Sequence, residues 1–154
     1  MPTTMRRKDR ETDSEQTIKL LKEGEYGVLA TVDAEGQPYA TPLSYVCTNN
    51  LIYFHCATEG HKLNNLRANK RVSFCVVGKT DVIQEKFTTN YESSIAFGSA
   101  SEIFGDEKEK ALLLLVKKYS PEFVKEGTDY IARAADKTGV IKIEIKQLTG
   151  KARQ

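Results

Sequence analysis

The chain has 154 residues, of which 40% are hydrophobic and 29% charged, so a single domain can bury a core without disulfides or metal. Its net charge of +2 is too small to indicate nucleic acid or an anionic membrane as an obligatory partner. Three cysteines without a C-x-x-C pair and only two histidines argue against a disulfide framework, a thiolate zinc site and a multi-histidine metal site. We therefore expect one domain over residues 1–154 and no bound metal.

The beginning of the chain predicts neither a membrane span nor a secretory signal. No apolar run approaches the ~20 residues that a membrane-spanning helix needs. Residues 1–12 are polar, with Arg6, Arg7 and Arg10 among acidic residues, and they lack the apolar stretch of a signal peptide. We expect a charged, partly mobile N-terminal arm and a cytoplasmic location.

The first elements are a helix and a hairpin. Asp13, followed three residues later by Gln16, predicts a helix N-terminus, and Gly24 predicts a left-handed end to that helix. The β-forming run at 27–32 predicts a strand, a tight turn follows, and residues 38–46 predict the return strand.

The return strand contains a proline, Pro42, which cannot donate a ladder hydrogen bond and so marks an edge or an irregularity. Irregular backbone over residues 41–44 would leave amide and carbonyl groups free to meet a ligand. A plain edge strand is the competing interpretation.

The next segment combines a strand with a short helix. Leu51–Cys56 predicts a buried strand, and a helical pattern follows the break at Glu59-Gly60. At the junction stand Gly60, His61 and Lys62. A glycine followed by two nitrogen donors at a helix N-terminus suits a phosphate group. A solvated basic helix start is the alternative.

Two more strands are predicted before the helical region. Residues 72–77 form the first, and residues 78–90 are polar, with a short strand around Val82. Residues 91–104 predict a long strand in which Gly98 and two alanines keep one region small. Small residues in a strand indicate the close approach of a partner subunit or of a flat ring.

The last third is helical and then extended. We predict a helix at 106–119, a helical segment that starts at Ser120-Pro121, a further one at 128–135, a last strand at 139–145 and a basic tail at 150–153. Six or so strands joined by short turns, with flanking helices, predict a mainly β protein built on an antiparallel barrel.

No nucleophile–base arrangement is visible in the sequence. It contains no G-x-S-x-G, no H-E-x-x-H and no recognisable cysteine–histidine motif. If the protein is an enzyme, a bound cofactor must carry the difficult step. A flavin meets that demand because it is flat, has an anionic phosphate and passes a hydride or single electrons.

Residues 53–74, YFHCATEGHKLNNLRANKRVSF, resemble the core motif of the pyridoxamine 5′-phosphate oxidase-like, FMN-binding split-barrel superfamily. The resemblance is greatest to its nitroimidazole-resistance-type branch, and it continues in order along nearly the whole chain. The other similar segments are Met5–Arg10, GVLATVDAEGQPYATPLSYV, Ile95–Ala100 and Leu148–Arg153.

The resemblance implies an antiparallel split β-barrel that forms a homodimer, with FMN in a groove at the subunit interface. It places the flavin ring against residues 41–44 and the phosphate at His61 and Lys62. Residues 55–57 would line the ribityl chain and the ring, and residues around 91–94 of the partner subunit would complete the pocket. The implied cofactor-binding residues, with Gly60 added from the helix start, are Thr41, Pro42, Leu43, Ser44, His55, Cys56, Ala57, Gly60, His61, Lys62, Tyr91, Ser93 and Ser94. The oxidase branch has Arg-Lys where this chain has His61 and Lys62, so its phosphate clamp is stronger.

Two of these side chains, His55 and Cys56, and two basic residues near the end of the chain have competing interpretations. The resemblance makes His55 a catalytic residue that donates a proton or hydrogen bond to the substrate. Strand alternation instead favours a hydrogen-bonded histidine in a mostly apolar wall. Cys56 alternates to the opposite face and is interpreted as packing. Lys151 and Arg153 either reach the flavin phosphate or an acidic substrate, or belong to a frayed tail.

We therefore expect an FMN-dependent oxidoreductase that passes electrons from a reduced partner or a nicotinamide donor to a small aromatic or nitro compound. One alternative is a flavin- or haem-binding stress protein without turnover. Pyridoxamine phosphate oxidation would need a second basic cluster. A nucleic-acid-binding barrel is disfavoured because its aromatic residues would face the barrel interior.

Overall fold

The computed structural model describes residues 4–154, which form seven strands and four α-helices. The strands are β1 (Gly27–Val32), β2 (Pro38–Leu43), β3 (Val46–Thr48), β4 (Leu51–Cys56), β5 (Arg71–Ile83), β6 (Thr88–Ile103) and β7 (Gly139–Arg153). The helices are α1 (Ser14–Glu23), α2 (His61–Ala68), α3 (Gly105–Tyr119) and α4 (Val124–Ala134). None of the helices in this described part is long and apolar enough to cross a membrane.

All seven strands belong to one antiparallel sheet in the order β2-β1-β5-β6-β7-β4-β3. The two edge strands, β2 and β3, follow each other along the chain, so the edges of the sheet meet at Ser44 and Tyr45. Strand hydrogen bonds do not close this gap, and the architecture is an antiparallel split barrel. The predicted fold class is confirmed.

The core has two parts on opposite faces of β4. Ile52 and Phe54 point into the barrel, where the fully buried interior also includes Phe74 and Ile141. Tyr53 points the other way, into a second cluster beneath α3. This alternation means that His55, two residues after Tyr53, lies on the outer face of the barrel, on the side of the helices.

The return strand ends earlier than predicted, at Leu43 rather than at Val46. The Tyr45 N–H donates to the Tyr119 hydroxyl (3.0 Å), and the Tyr45 carbonyl accepts from Lys118 Nζ (2.9 Å). Side chains of α3 therefore satisfy backbone groups that a longer strand would have paired. The prediction was wrong here because the local pattern contains no information about a helix more than seventy residues away.

The proline in this strand fits the edge interpretation. Pro42 lies in β2, which pairs on one side with β1 in an unbroken register from Gly27↔Leu43 to Val32↔Pro38. The irregular backbone begins only at Ser44, after the strand, so the predicted irregularity over residues 41–44 was wrong for its first three positions.

Two glycines have a different role from the one predicted. Gly24 has φ −56°, so it is not the left-handed helix end that we predicted. A Cβ there would come closer than 3.0 Å to Val76 and to the Tyr45 hydroxyl. At Gly98 a Cβ would come that close to the Glu144 carbonyl of the adjacent strand. The close neighbour of Gly98 within the described chain is therefore β7.

The strands β5, β6 and β7 are longer than predicted. Beyond a register shift, residues 80–83 pair with 88–91 in a hairpin that extends past the core, so its residues lack a hydrophobic pattern. The predicted basic tail at 150–153 is part of β7 and pairs with β6, so the frayed-tail interpretation was wrong.

The helices and the N-terminal arm largely follow expectation. The Asp13 side chain accepts from the Gln16 N–H (2.8 Å), which confirms the predicted start of α1. Helix α3 begins one residue before the predicted position, and α4 begins at Val124 rather than at residue 128. The end of the arm is attached to the barrel, since the Thr12 N–H donates to the Gly150 carbonyl (3.0 Å). Residues 1–3 of the predicted arm lie outside the described residues.

Candidate functional site

The start of α2 lies against β2 and β4. Gly60 precedes the helix with φ 147°, a backbone conformation that favours glycine. The exposed His61 ring packs edge-on against Tyr39 of β2 with 4.7 Å between ring centroids, and Lys62 Nζ lies 5.6 Å from the ring centroid of Phe54 in β4. The first N–H groups of a helix have no acceptor within it. Backbone donors, an imidazole and an ammonium group therefore converge here, as an anion requires.

A buried polar interaction fixes this helix in place. The Asn65 side-chain amide donates to the Thr31 hydroxyl of β1 (3.0 Å), and both residues are buried. Leu63 and Leu66 insert into the barrel core on the same side of α2. The sequence analysis did not identify Asn65, although a polar residue between two core leucines was a signal for it. Because α2 is held rigidly, the position of its N-terminus relative to β2 is fixed.

The predicted ring-binding strand contains an unsatisfied polar atom. Thr41 Oγ1 in β2 is buried and has no hydrogen-bond partner among residues 4–154. Buried hydroxyl groups in proteins are almost always paired, so a buried hydroxyl without a partner needs an explanation. A ligand that bonds to Thr41 Oγ1 would supply one, which makes β2 a suitable strand for the polar edge of a bound ring.

Two of the predicted residues, Ser44 and His55, line the same cavity. This cavity has a volume of about 360 Å³ and is enclosed by α3 and α4. His55 is exposed, and no hydrogen-bond partner for it exists within the described chain. The interpretation of His55 as a hydrogen-bonded wall histidine is therefore not supported.

Cys56, the last residue of β4, and Ala57, which follows it, have different environments. Cys56 is half-buried and packs against the barrel core. Burial raises the pKa of its thiol, although the nearby Lys62 and Arg67 act in the opposite direction. The thiol form is therefore favoured, which agrees with the packing interpretation. Ala57 is exposed at the end of the strand.

The residues predicted to act across the interface do not form one group. Ser94 is completely buried, and its hydroxyl donates to the Thr17 carbonyl of α1 (2.9 Å). It anchors α1 and cannot reach a second subunit. Tyr91 and Ser93 are half-buried nearer the start of β6.

Tyr91 lies in a cluster of basic residues, Arg10, Lys151 and Arg153, that was not predicted from the sequence. Burial opposes its ionisation, but the nearby positive charges of Lys151 and Arg10 outweigh that effect and lower its pKa. Arg153 extends the cluster through a hydrogen bond to Asn90 (2.6 Å). The pairing of β6 with β7 brings these distant basic residues together, so the local sequence gave no signal for the cluster.

The largest cavity described here, about 580 Å³, lies elsewhere, on the outer face of the sheet. It includes none of the predicted cofactor residues. Its walls combine the aromatic ring of Phe97 with the basic side chains of Arg71 and Lys146.

Residues 13–152 match the model of the pyridoxamine 5′-phosphate oxidase family, and the chain belongs to that family. No curated protein sequence matches it significantly. The family resemblance found in the sequence is therefore confirmed.

Several solved structures share the fold at low sequence identity. A protein of Bacteroides thetaiotaomicron assigned to 5-nitroimidazole antibiotic resistance is 22% identical, with a TM-score of 0.72 over 91% of this chain and 84% of that one. An FAD-binding protein of Mesorhizobium loti is 24% identical, with a TM-score of 0.66 over 94% and 98%. The FAD- and haem-binding protein of Mycobacterium smegmatis is 19% identical, with a TM-score of 0.82 over 94% and 74%. The chain is therefore a split-barrel protein whose structural relatives include flavin- and haem-binding proteins.

Proposed function

We propose that the protein is an FMN-dependent oxidoreductase that reduces small aromatic or nitro compounds. The observation that carries the proposal is the convergence of an anion-binding helix start, His61 and Lys62, on the edge strand that holds the unpaired Thr41 hydroxyl. The resemblance of residues 53–74 to the superfamily's core motif supports the same placement.

The residues present fit the two ends of FMN. The imidazole of His61, the ammonium of Lys62 and the first N–H groups of α2 are donors for a phosphate. Thr41 Oγ1 and the unpaired edge of β2 are available to the polar edge of a flat ring. When bound, the flavin supplies electron transfer in one- or two-electron steps.

His55 is the proposed proton donor. Reduction of a nitro group to a nitroso group consumes two electrons and two protons and releases one water molecule. The electrons would come from a nicotinamide donor, and the imidazole N–H of His55 would hydrogen-bond the nitro oxygen and pass a proton to it. Because no residue of the described chain hydrogen-bonds to His55, this N–H is free to bond a substrate.

Oxidation of pyridoxamine phosphate is a weaker candidate. That substrate carries its own phosphate, and the residues described as lining the cavity beside His55 include no lysine or arginine. A haem-binding role draws support from the haem-binding relative, and the absorption spectrum distinguishes it from the flavin role.

Anaerobic turnover tests the proposed reaction. FMN-loaded protein should oxidise a nicotinamide donor only when a nitroaromatic acceptor is present, and His55→Ala should lower kcat roughly 100-fold. The exposed Thr58→Ala variant, three residues further along the chain, should retain full activity. Equal rates for wild type and His55→Ala would remove His55 from the mechanism, and no acceptor-dependent oxidation would refute the reductase proposal.

A homodimer is part of the proposal, and it is supported by an uncovered sheet face. Val28, Cys75 and Ile95 form one cross-strand row on the outer face of β1, β5 and β6, and Phe97 lies in the next row. These residues are only half-buried and belong to neither hydrophobic cluster. A second subunit packed on this face would bury them.

Charge at the centre of that face should separate the subunits. Phe97→Glu is expected to convert a dimer into a monomer, because it would bury unpaired carboxylates at the interface. Light scattering coupled to gel filtration measures the mass. The matched control is Phe104→Glu, an exposed phenylalanine at the end of the same strand, which should leave a dimer. A Phe97→Glu protein that stays dimeric would place the interface elsewhere.

A further inference from the structure

The cavity of about 580 Å³ on the outer face of the sheet, which we call the outer groove, takes no part in the proposed reaction. Strands β1, β5, β6 and β7 form it, and its volume is within the range of small-molecule sites. The residues assigned above to the flavin and to proton donation are not among those described as lining it.

The register of the strands explains the shape of the outer groove. Ala30, Ser73 and Phe97 occupy one cross-strand row on β1, β5 and β6. Two of these side chains are small, and the phenylalanine ring stands beside them, so a flat molecule can lie on the small residues and against the ring. The next row on β5 and β6 contains Arg71 and Ser99.

A bulge in β7 brings a second cation to the outer groove. The pairing of β6 with β7 shifts by one residue after Phe97 and leaves Lys146 without a partner on β6. Ile145 and Leu148 both pack against the barrel core, so the two residues between them, Lys146 and Gln147, line the groove. Bulges re-aim side chains in this way and are common next to functional sites.

The charges of the outer groove suit a monoanion. The Arg71 guanidinium has no hydrogen-bond or ion-pair partner within residues 4–154. Lys146 Nζ lies 3.3 Å from Glu144 Oε2, but both side chains are exposed, so this pair is weak and leaves the lysine available. Two cations and one carboxylate leave a single net positive charge. A guanidinium also matches a carboxylate group through two parallel N–H···O bonds.

We infer that the outer groove binds a small aromatic monocarboxylate, with its ring against Phe97 and its carboxylate on Arg71 and Lys146. Phe97 also belongs to the face proposed for the second subunit, so a bound ring would lie at the edge of that interface. A second subunit alone is a poorer occupant, because an unpaired guanidinium is costly to bury in an apolar contact. The binding needs no flavin and does not depend on the proposed reaction.

Backbone amide NMR spectra of flavin-free protein at constant ionic strength test the binding. Benzoate is the probe, and benzamide is the same ring without the charge. Benzoate should shift the signals of Ser73, Phe97 and Gln147 saturably and leave that of Ile52, in the barrel interior, unchanged. Benzamide should bind at least about tenfold more weakly, because it loses charged hydrogen bonds. Shifts confined to the start of α2, or equal affinity for the two probes, would overturn the inference.

Removal of the guanidinium provides the matched variants. Arg71→Met should weaken benzoate binding at least about tenfold. Lys70→Met removes the same charge from the exposed neighbouring position, which does not line the groove, and should keep the affinity within about twofold. If Arg71→Met does not fold, Lys146→Met at the exposed bulge replaces it and should also weaken binding.

Two results would overturn the inference. One is wild-type affinity for benzoate in a folded Arg71→Met or Lys146→Met protein. The other is the absence of benzoate binding to wild type, which would leave the second subunit as the occupant of the outer groove. Failure to retain FMN would refute the proposed function and leave benzoate binding standing, so the two failures are distinguishable.

Discussion

The double variant His61→Ala, Lys62→Ala is expected to bind FMN roughly 100-fold more weakly than wild type, a loss of about 2.7 kcal/mol. Each substitution removes a nitrogen donor of the proposed phosphate site at the start of α2, and hydrogen bonds to charged groups contribute more than neutral ones. The neighbouring core of α2 should be retained, because Leu63, Asn65 and Leu66 are unchanged. Titration of FMN followed by quenching of flavin fluorescence gives the dissociation constants.

Lys70→Ala is the control for this loss. Lys70 is an exposed lysine just after α2, so its replacement removes the same positive charge away from the proposed phosphate site. Its FMN affinity should stay within about twofold of wild type, because exposed charges are strongly screened. If Lys70→Ala weakens binding as much as the double variant, the effect of His61 and Lys62 is one of net charge and the phosphate site is misplaced.

Replacement of Gly98 by alanine is expected to lower the free energy of unfolding by about 3 kcal/mol, because overpacking against fixed backbone is costly. The new Cβ would meet the Glu144 carbonyl, and a backbone group paired in a sheet cannot move aside as a side-chain end can. The position lies at a register shift between β6 and β7, where the pairing passes from Phe97↔Gln147 to Gly98↔Ile145. Urea denaturation measures the change.

Ser101→Ala is the control on the same strand. Ser101 is exposed and pairs with Lys142 in regular register, so its replacement should change stability by less than about 0.5 kcal/mol. A Gly98→Ala protein as stable as this control would mean that β7 can shift to admit a methyl group.

The sequence predicted the elements whose pattern is local. The bounds of β1 and β4 match the predicted strands, since each has a continuous β-forming run between turn residues. Helix α3 was predicted to within one residue from its apolar spacing. The family motif at residues 53–74 identified the split barrel.

The features that the sequence missed are those that distant residues create. The end of β2 depends on Lys118 and Tyr119, and the basic cluster at Tyr91 depends on the pairing of β6 with β7. The hairpin beyond residue 77 has ladder hydrogen bonds but no buried face, so its strands carry no hydrophobic pattern.

For the candidate site, the sequence predicted the helix start and the strand but not how they meet. The contact between His61 and Tyr39 joins residues from two elements, and the unpaired state of Thr41 Oγ1 is visible only once its surroundings are known. The cavity beside His55 was also beyond prediction, because it results from the separation of α4 from the barrel.

The visible absorption spectrum of the protein, recorded after incubation with FMN and removal of free FMN by desalting, tests the central claim most directly. We predict the bands of oxidised flavin at about one FMN per subunit, because in the proposed site the phosphate donors of α2 and the polar atoms of β2 would hold the two ends of the cofactor. A colourless protein after desalting would contradict the flavoenzyme proposal. A sharp band at shorter wavelength in the protein as purified would also contradict it, and would identify haem as the bound group.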